Sequence, residues 1–157
     1  GAWLFSARTS AGALHLSQVA EVPLAAPCHS VALTPCHLLL GSTNHVLVWS
    51  IRELLQSPPP GIPVANPARI HLAPTATRGT SCTPPGDARA GDYIQVQDMQ
   101  VLCPGQCLAR DSNGRLHLLR LPPGGTPAEG ATCVAAPVPM HGRVAAFAVL
   151  PGGGGGG

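Results

Sequence analysis

Cysteine and histidine are the residues of this chain whose types and spacing come closest to chemistry. Cys103 and Cys107 are separated by three residues, and Cys28-His29 and Cys36-His37 are adjacent thiol and imidazole pairs. Zinc accepts four such sulfur and nitrogen ligands in tetrahedral geometry. Two cysteines flanking Pro104-Gly105 could alternatively close a disulfide or form a redox pair. The expectation is packed thiols, because Pro-Gly is an ordinary turn and the flanking strands need small apolar side chains in any case. His15 and His117 each lie between two leucines. A pair of imidazoles could do acid–base work, but the simpler reading is a middle strand position half covered by a neighbouring sheet. Glu53, Asp98 and Asp111 read as a solvated helix residue, a strand residue on the polar side and a turn residue. No two carboxylates converge by spacing, and no G-x-S-x-G elbow is present. The sequence therefore predicts no catalytic, cofactor-binding or metal-binding residues and does not define which residues bind a partner.

Composition excludes more chemistry than the motifs suggest. All nine basic residues are Arg, so this segment supplies no Walker A lysine, no kinase-type phosphate-pairing lysine and no Schiff-base amine. The six terminal glycines satisfy G-x-G-x-x-G formally, yet no helix follows them. A net charge of +2, with Arg scattered and only two Trp, two Phe and one Tyr, gives neither a basic stripe nor a base-stacking platform. Six cysteines without a recognisable secretory signal favour a reducing compartment, and the apolar runs are too short to span a bilayer. The abundance of Ala, Gly, Pro and Arg resembles a GC-rich coding bias, which weakens Gly and Pro as structural punctuation.

The elements that would position any site come from one recurring unit. Residues 35–51 read as an apolar strand (Leu38, Leu39, Leu40), a Gly41-Ser42-Thr43-Asn44 turn, and a second strand through Val46, Val48, Trp49 and Ile51. Residues 110–121 repeat this around Asn113-Gly114, a pair suited to a type I′ turn. Residues 4–19 repeat it around Ser10-Ala11-Gly12. Leu14, Val46 and Leu116 then fall at one position, at offsets of 32 and 70 residues. Leu14, Leu16, Val46, Val48, Leu116 and Leu118 are expected to pack in equivalent ways. A strand pair recurring with a period of roughly 35 to 45 residues is the pattern of a propeller blade.

These residues resemble the WD40 family, whose repeats carry G-S-x-D-G-x-I-x-V-W-D-L. Gly41, Ser42, Asn44, Val46, Val48, Trp49 and Ile51 match it with a turn one residue short. In the later copy Leu119 stands for Trp and Arg120 for Asp, and no Trp-Asp dipeptide occurs. His141, Val144 and Pro151 resemble the family's H-x-x-V-x-x-V-x-x-x-P-x-G opening of a further blade. What the resemblance implies is an all-β fold: a partial β-propeller of about three WD40-like blades of four-stranded antiparallel sheet, a fragment of a larger propeller. Blades would occupy 1–150, with a disordered insertion at 73–92 and a Gly-rich tail or truncated turn at 151–157. A run of blades taken alone leaves an apolar face uncovered at each end.

Around the hairpins, 29–34 and 93–102 read as innermost strands, 21–26 and 132–138 as outer strands, 68–72 as a strand, and 52–56 as one helical turn behind Ser50. The order of features is most similar to the branch of the family found in the THO complex of nuclear messenger-RNA export. That resemblance implies a non-enzymatic interaction scaffold in the nucleus, with the cytoplasm as the alternative. Its partners would be other protein subunits, with RNA association only indirect through a complex, no cofactor, no membrane and no small-molecule substrate. The alternatives are an adaptor in another assembly, such as a ubiquitin ligase or a cilium, and a Cys/His metal-binding or enzymatic domain on the same blades.

Overall fold

The computed structural model describes residues 2–22, 24, 26–56, 67–72, 93–122 and 134–149. Within them the chain forms two four-stranded antiparallel sheets and one two-stranded hairpin. The hairpin is β1 (Ala2–Ser10) and β2 (Ala13–Val22). The first sheet runs in chain order through β3 (Ser30–Leu33), β4 (His37–Gly41), β5 (His45–Ser50) and β6 (Ala68–His71). A helical turn, α1 (Ile51–Gln56), separates the last two, and the Ser50 hydroxyl accepts the Glu53 N–H at 3.3 Å at its start. The second sheet repeats the plan with β7 (Val96–Cys103), β8 (Gln106–Asp111), β9 (Leu116–Arg120) and β10 (Val134–Pro137).

The two sheets stack through opposite faces. Ala32, Leu39, Val48 and Ala68 form one cross-strand row of the first sheet; the first three belong to the core shared with the second, and the half-buried Ala68 packs against it. Val46 joins that core, but its counterpart 70 residues on, Leu116, does not. The second sheet contributes Cys107, Ala109 and Leu119 instead, from its other face. The same relation holds one step earlier. Leu38, Leu40, Leu47 and Trp49, on the opposite face of the first sheet, pack with Leu54 of α1 and with Ala2, Ala20 and Val22 of the hairpin. Each layer therefore presents one face backward and the other forward, which is a head-to-tail stack.

Close approach between layers depends on Gly41. A Cβ there would lie 2.7 Å from the Val96 side chain of β7, so the residue is glycine for space. The tight fit lets the Ser30 hydroxyl donate to the Val96 carbonyl at 2.8 Å, while the Val96 N–H donates to the Ser42 carbonyl at 3.2 Å. Asn44 completes the junction: its N–H donates to the Ile94 carbonyl at 2.7 Å and its Oδ1 accepts the Ile94 N–H at 2.8 Å.

Several expectations need correction. Leu14 and Leu16 do not pack like Val46 and Val48; they are 66% and 63% exposed. A bulge in β2 opposite Leu4/Phe5 shifts the register by one residue, which reverses the side-chain alternation. Leu14 and Leu16 consequently share a face with Trp3 and Phe5, away from Ala2, Ala20 and Val22. Leu116 is buried and Leu118 only half-buried. Asn113-Gly114 is not a type I′ pair, since only Gly114 has positive φ. The Gly114 N–H donates to the Asp111 carbonyl, making a three-residue loop with its left-handed residue last. Residues 21–26 form no separate outer strand: Glu21 and Val22 end β2, and the described residues beyond them lie outside any strand. The expected opening strand at 141–152 is irregular over its described part, to residue 149. The insertion at 73–92 and the tail at 151–157 lie outside the described residues.

Candidate functional site

The cysteine spacing does not build a shared site. Cys103 pairs with Gln106 and Val101 with Cys107, so the two sulfurs leave the β7–β8 hairpin on opposite faces. Cys103 is exposed, whereas Cys107 is fully buried in the core between the sheets. Burial pushes the Cys107 thiol up to about 12, with the Asp98 charge adding to the rise and a backbone hydrogen bond at Gln100 opposing it. Such a thiol stays protonated and is a poor nucleophile and a poor metal ligand. Cys28, Cys36, Cys103 and Cys107 are all free. Cys28 donates to the Ser30 carbonyl at 3.1 Å, just before β3.

His15 and His117 occupy equivalent repeat positions but different environments. His15 is exposed near the tip of the hairpin, while His117 is buried at 3% exposure. By sequence Asp111 reads as a turn residue with no link to His117. Asp111 Oδ2 lies 2.9 Å from His117 Nε2, and both side chains are almost wholly buried. The other carboxylate oxygen accepts the N–H groups of Asn113 at 2.8 Å and Arg115 at 3.0 Å. The aspartate thus braces the turn by an Asx-type bond and anchors it to β9. The signal was available as an Asp opening a left-handed turn with a His six residues on, across the same hairpin.

Two further histidines stand apart from this pair. His37 opens β4 beside Thr34, whose hydroxyl accepts the His37 N–H at 2.8 Å and the Cys36 N–H at 3.2 Å. Its ring is buried, and Nε2 has no hydrogen-bond partner among the described residues. Loss of hydration lowers its pKa from 6.5. His45 and His71 are cross-strand partners on β5 and β6, with ring centroids 6.3 Å apart and planes tilted by 49°. Burial lowers the His45 pKa, the neighbouring Arg69 and His71 lower it further, and a hydrogen bond with the Thr43 backbone opposes them. No group of three or more His, Cys, Asp or Glu residues able to hold a metal ion occurs among the described residues.

What the described residues do bring together is a repeated turn. Gly12, Asn44 and Gly114 all have positive φ, at 79°, 62° and 73°, and are spaced by the same 32 and 70 residues as Leu14, Val46 and Leu116. Asn44 bonds forward to Ile94 of the next layer. The Gly114 carbonyl accepts the Val144 N–H at 2.7 Å in the corresponding place. Gln100 of β7 then holds the following chain from its side, donating to the Phe147 carbonyl at 2.9 Å and accepting the Val149 N–H at 2.8 Å. No protein-family model, curated protein or solved structure matches this chain.

Proposed function

We propose that the chain is a section of a WD40-type β-propeller that acts as a protein-interaction scaffold. On this reading it is similar to THO complex subunit 6, a component of nuclear messenger-RNA export. The observation that carries the proposal is the repeated step. Equivalent left-handed turns in successive four-stranded sheets each bond to the chain that begins the next layer. Equivalent sheets stacked head to tail with the strands in chain order are what a propeller requires. The scaffold reading, with no catalytic step, draws support from the chemistry of the polar groups. Asp111 and His117 tie a turn to a strand, and Cys103 and Cys107 leave on opposite faces.

Partner contacts on this reading come from the loops at the rims, because loops on a rigid frame carry recognition. The partners are other protein subunits, and RNA is met only through them. Affinity purification of the protein from nuclear extract tests the assignment. Recovery of messenger-RNA export subunits supports it. Recovery of ubiquitin-ligase or ciliary subunits alone removes the export assignment and replaces it with an adaptor in that assembly.

A further inference from the structure

The two turns that reach forward to the next layer use asparagine in different places. In the first sheet Asn44 is itself the left-handed residue, and its side-chain oxygen accepts the Ile94 N–H at 2.8 Å. In the second sheet the left-handed residue is Gly114, and the half-buried Asn113 stands immediately before it. Asparagine followed by glycine is the dipeptide most prone to lose its side-chain amide, because no Cβ shields the glycine nitrogen as it closes on the Asn side-chain carbon. Asn44 is followed by His45, whose Cβ does shield the nitrogen.

The reaction needs only water. The Gly114 nitrogen, once its proton is removed, bonds to Cγ of Asn113; the Cγ–Nδ2 bond breaks, and Nδ2 leaves as ammonia with that proton. Water then adds across one of the two C–N bonds of the cyclic imide. Cleavage at Cγ leaves aspartate, whereas cleavage at the Asn113 backbone carbonyl leaves isoaspartate, whose main chain runs through the side chain and is longer by one carbon. The closed turn blocks the first bond. Gly114 is buried and its N–H donates to the Asp111 carbonyl at 2.9 Å, which keeps that proton from a base in solvent. A nitrogen anion there would also sit beside the Asp111 carboxylate, which accepts the flanking Asn113 and Arg115 N–H groups at 2.8 and 3.0 Å. The following segment adds a second clamp. The Val144 N–H donates to the Gly114 carbonyl at 2.7 Å, and a Cβ on Gly114 would lie 2.9 Å from that of Arg143, so the glycine has little room to swing.

We propose that Asn113-Gly114 is a self-modification site gated by this turn. It stays an amide while the turn is closed and converts one way when the β8–β9 hairpin opens locally. The isoaspartyl product does not rebuild the turn, because the added backbone carbon displaces the Gly114 N–H from the Asp111 carbonyl and the Gly114 carbonyl from Val144. The aspartyl product keeps the backbone but sets a second carboxylate close to that of Asp111. The bond from the turn to the following segment is thereby weakened, so that one opening makes the next easier.

Trypsin cuts after Arg110 and Arg115 and releases residues 111–115, in which Asn113 carries the only side-chain amide. The whole protein is incubated at pH 7.4 and 37 °C and that peptide is followed by mass spectrometry, which reads the replacement of NH2 by OH; chromatography separates the isoaspartyl form. Conversion in the native protein is expected to be slower by at least about tenfold than in a synthetic peptide of the same sequence. It rises in step with Gly114 amide exchange as urea is added below the unfolding midpoint, and it reaches the peptide's rate in the unfolded chain. Asn44 keeps its amide throughout. Native conversion as fast as the peptide's overturns the gate. Equal conversion at Asn44, or no conversion at Asn113 in the unfolded chain, overturns the site. Isoaspartyl protein with the parent's urea midpoint and unchanged amide exchange at Val144 overturns the one-way step.

Discussion

Single residues in this protein are distinguished by whether water reaches them, and their reactivity should follow. Cys103 is exposed at the β7–β8 turn, whereas Cys107 lies in the core with its thiol pushed up to about 12. Iodoacetamide at pH 8 should alkylate Cys103 readily and leave Cys107 unmodified until denaturant is added, as read by peptide mass spectrometry. Equal labelling of the two in the native protein would contradict the buried placement. His37 makes a different prediction. Its folded pKa lies below 6.5, so the unfolded chain binds the proton more readily as pH falls through that value. Its contribution is intact above pH 6.5 and declines below it, until the folded form also protonates. Thermal melts of His37→Gln should show a shallower loss of stability from pH 6.5 to pH 5 than the parent. His45, also lowered, remains in both proteins and cancels in the comparison.

At the scale of elements, the strands were legible because alternation of apolar residues and turn signals both survive in the sequence. The spans 29–34, 68–72 and 132–138 each contain an observed strand, 93–102 covers all of β7 but its last residue, and α1 extends the expected helical turn by one residue. What could not be read was register. One extra residue in β2 reverses the faces of Leu14 and Leu16, and nothing in their types marks a bulge. The Asn113-Gly114 turn misled for a related reason. The Asp111 carboxylate takes the Asn113 N–H and stabilises a longer loop over the two-residue turn that the dipeptide favours. Two glycines that the codon bias made easy to discount are in fact required. Gly41→Ala should destabilise the protein by about 2 kcal/mol through overpacking against Val96. Gly114→Ala combines a left-handed φ of 73° with a Cβ placed 2.9 Å from that of Arg143, and about 2 kcal/mol is expected there as well. Urea denaturation of both variants would check this. Wild-type midpoints would mean that the layers are not in close contact at those positions.

For the whole molecule the decisive feature is that one core belongs to two sheets. Leu39 and Leu119 are both fully buried, and they reach the same cluster from opposite sides. The sequence identified both segments but not this meeting, because Val46 and Leu116 matched by repeat position while the stack uses opposite faces. A shared core makes the sheets unfold together, since neither can lose the contact without exposing the other. Leu39→Ala should cost about 3 kcal/mol, as cavity-forming substitutions in cores do, and should lower amide protection in β8 as much as in β4. Leu119→Ala should have the same effect on both strands with a similar magnitude. The hairpin answers to the second core through Val22, so exchange near its Ala11-Gly12 tip should be fast and insensitive to either substitution. Native-state hydrogen exchange distinguishes the cases. Loss of protection confined to β3–β6 in Leu39→Ala would mean two independent units, and the head-to-tail stack would then not be the source of this protein's stability.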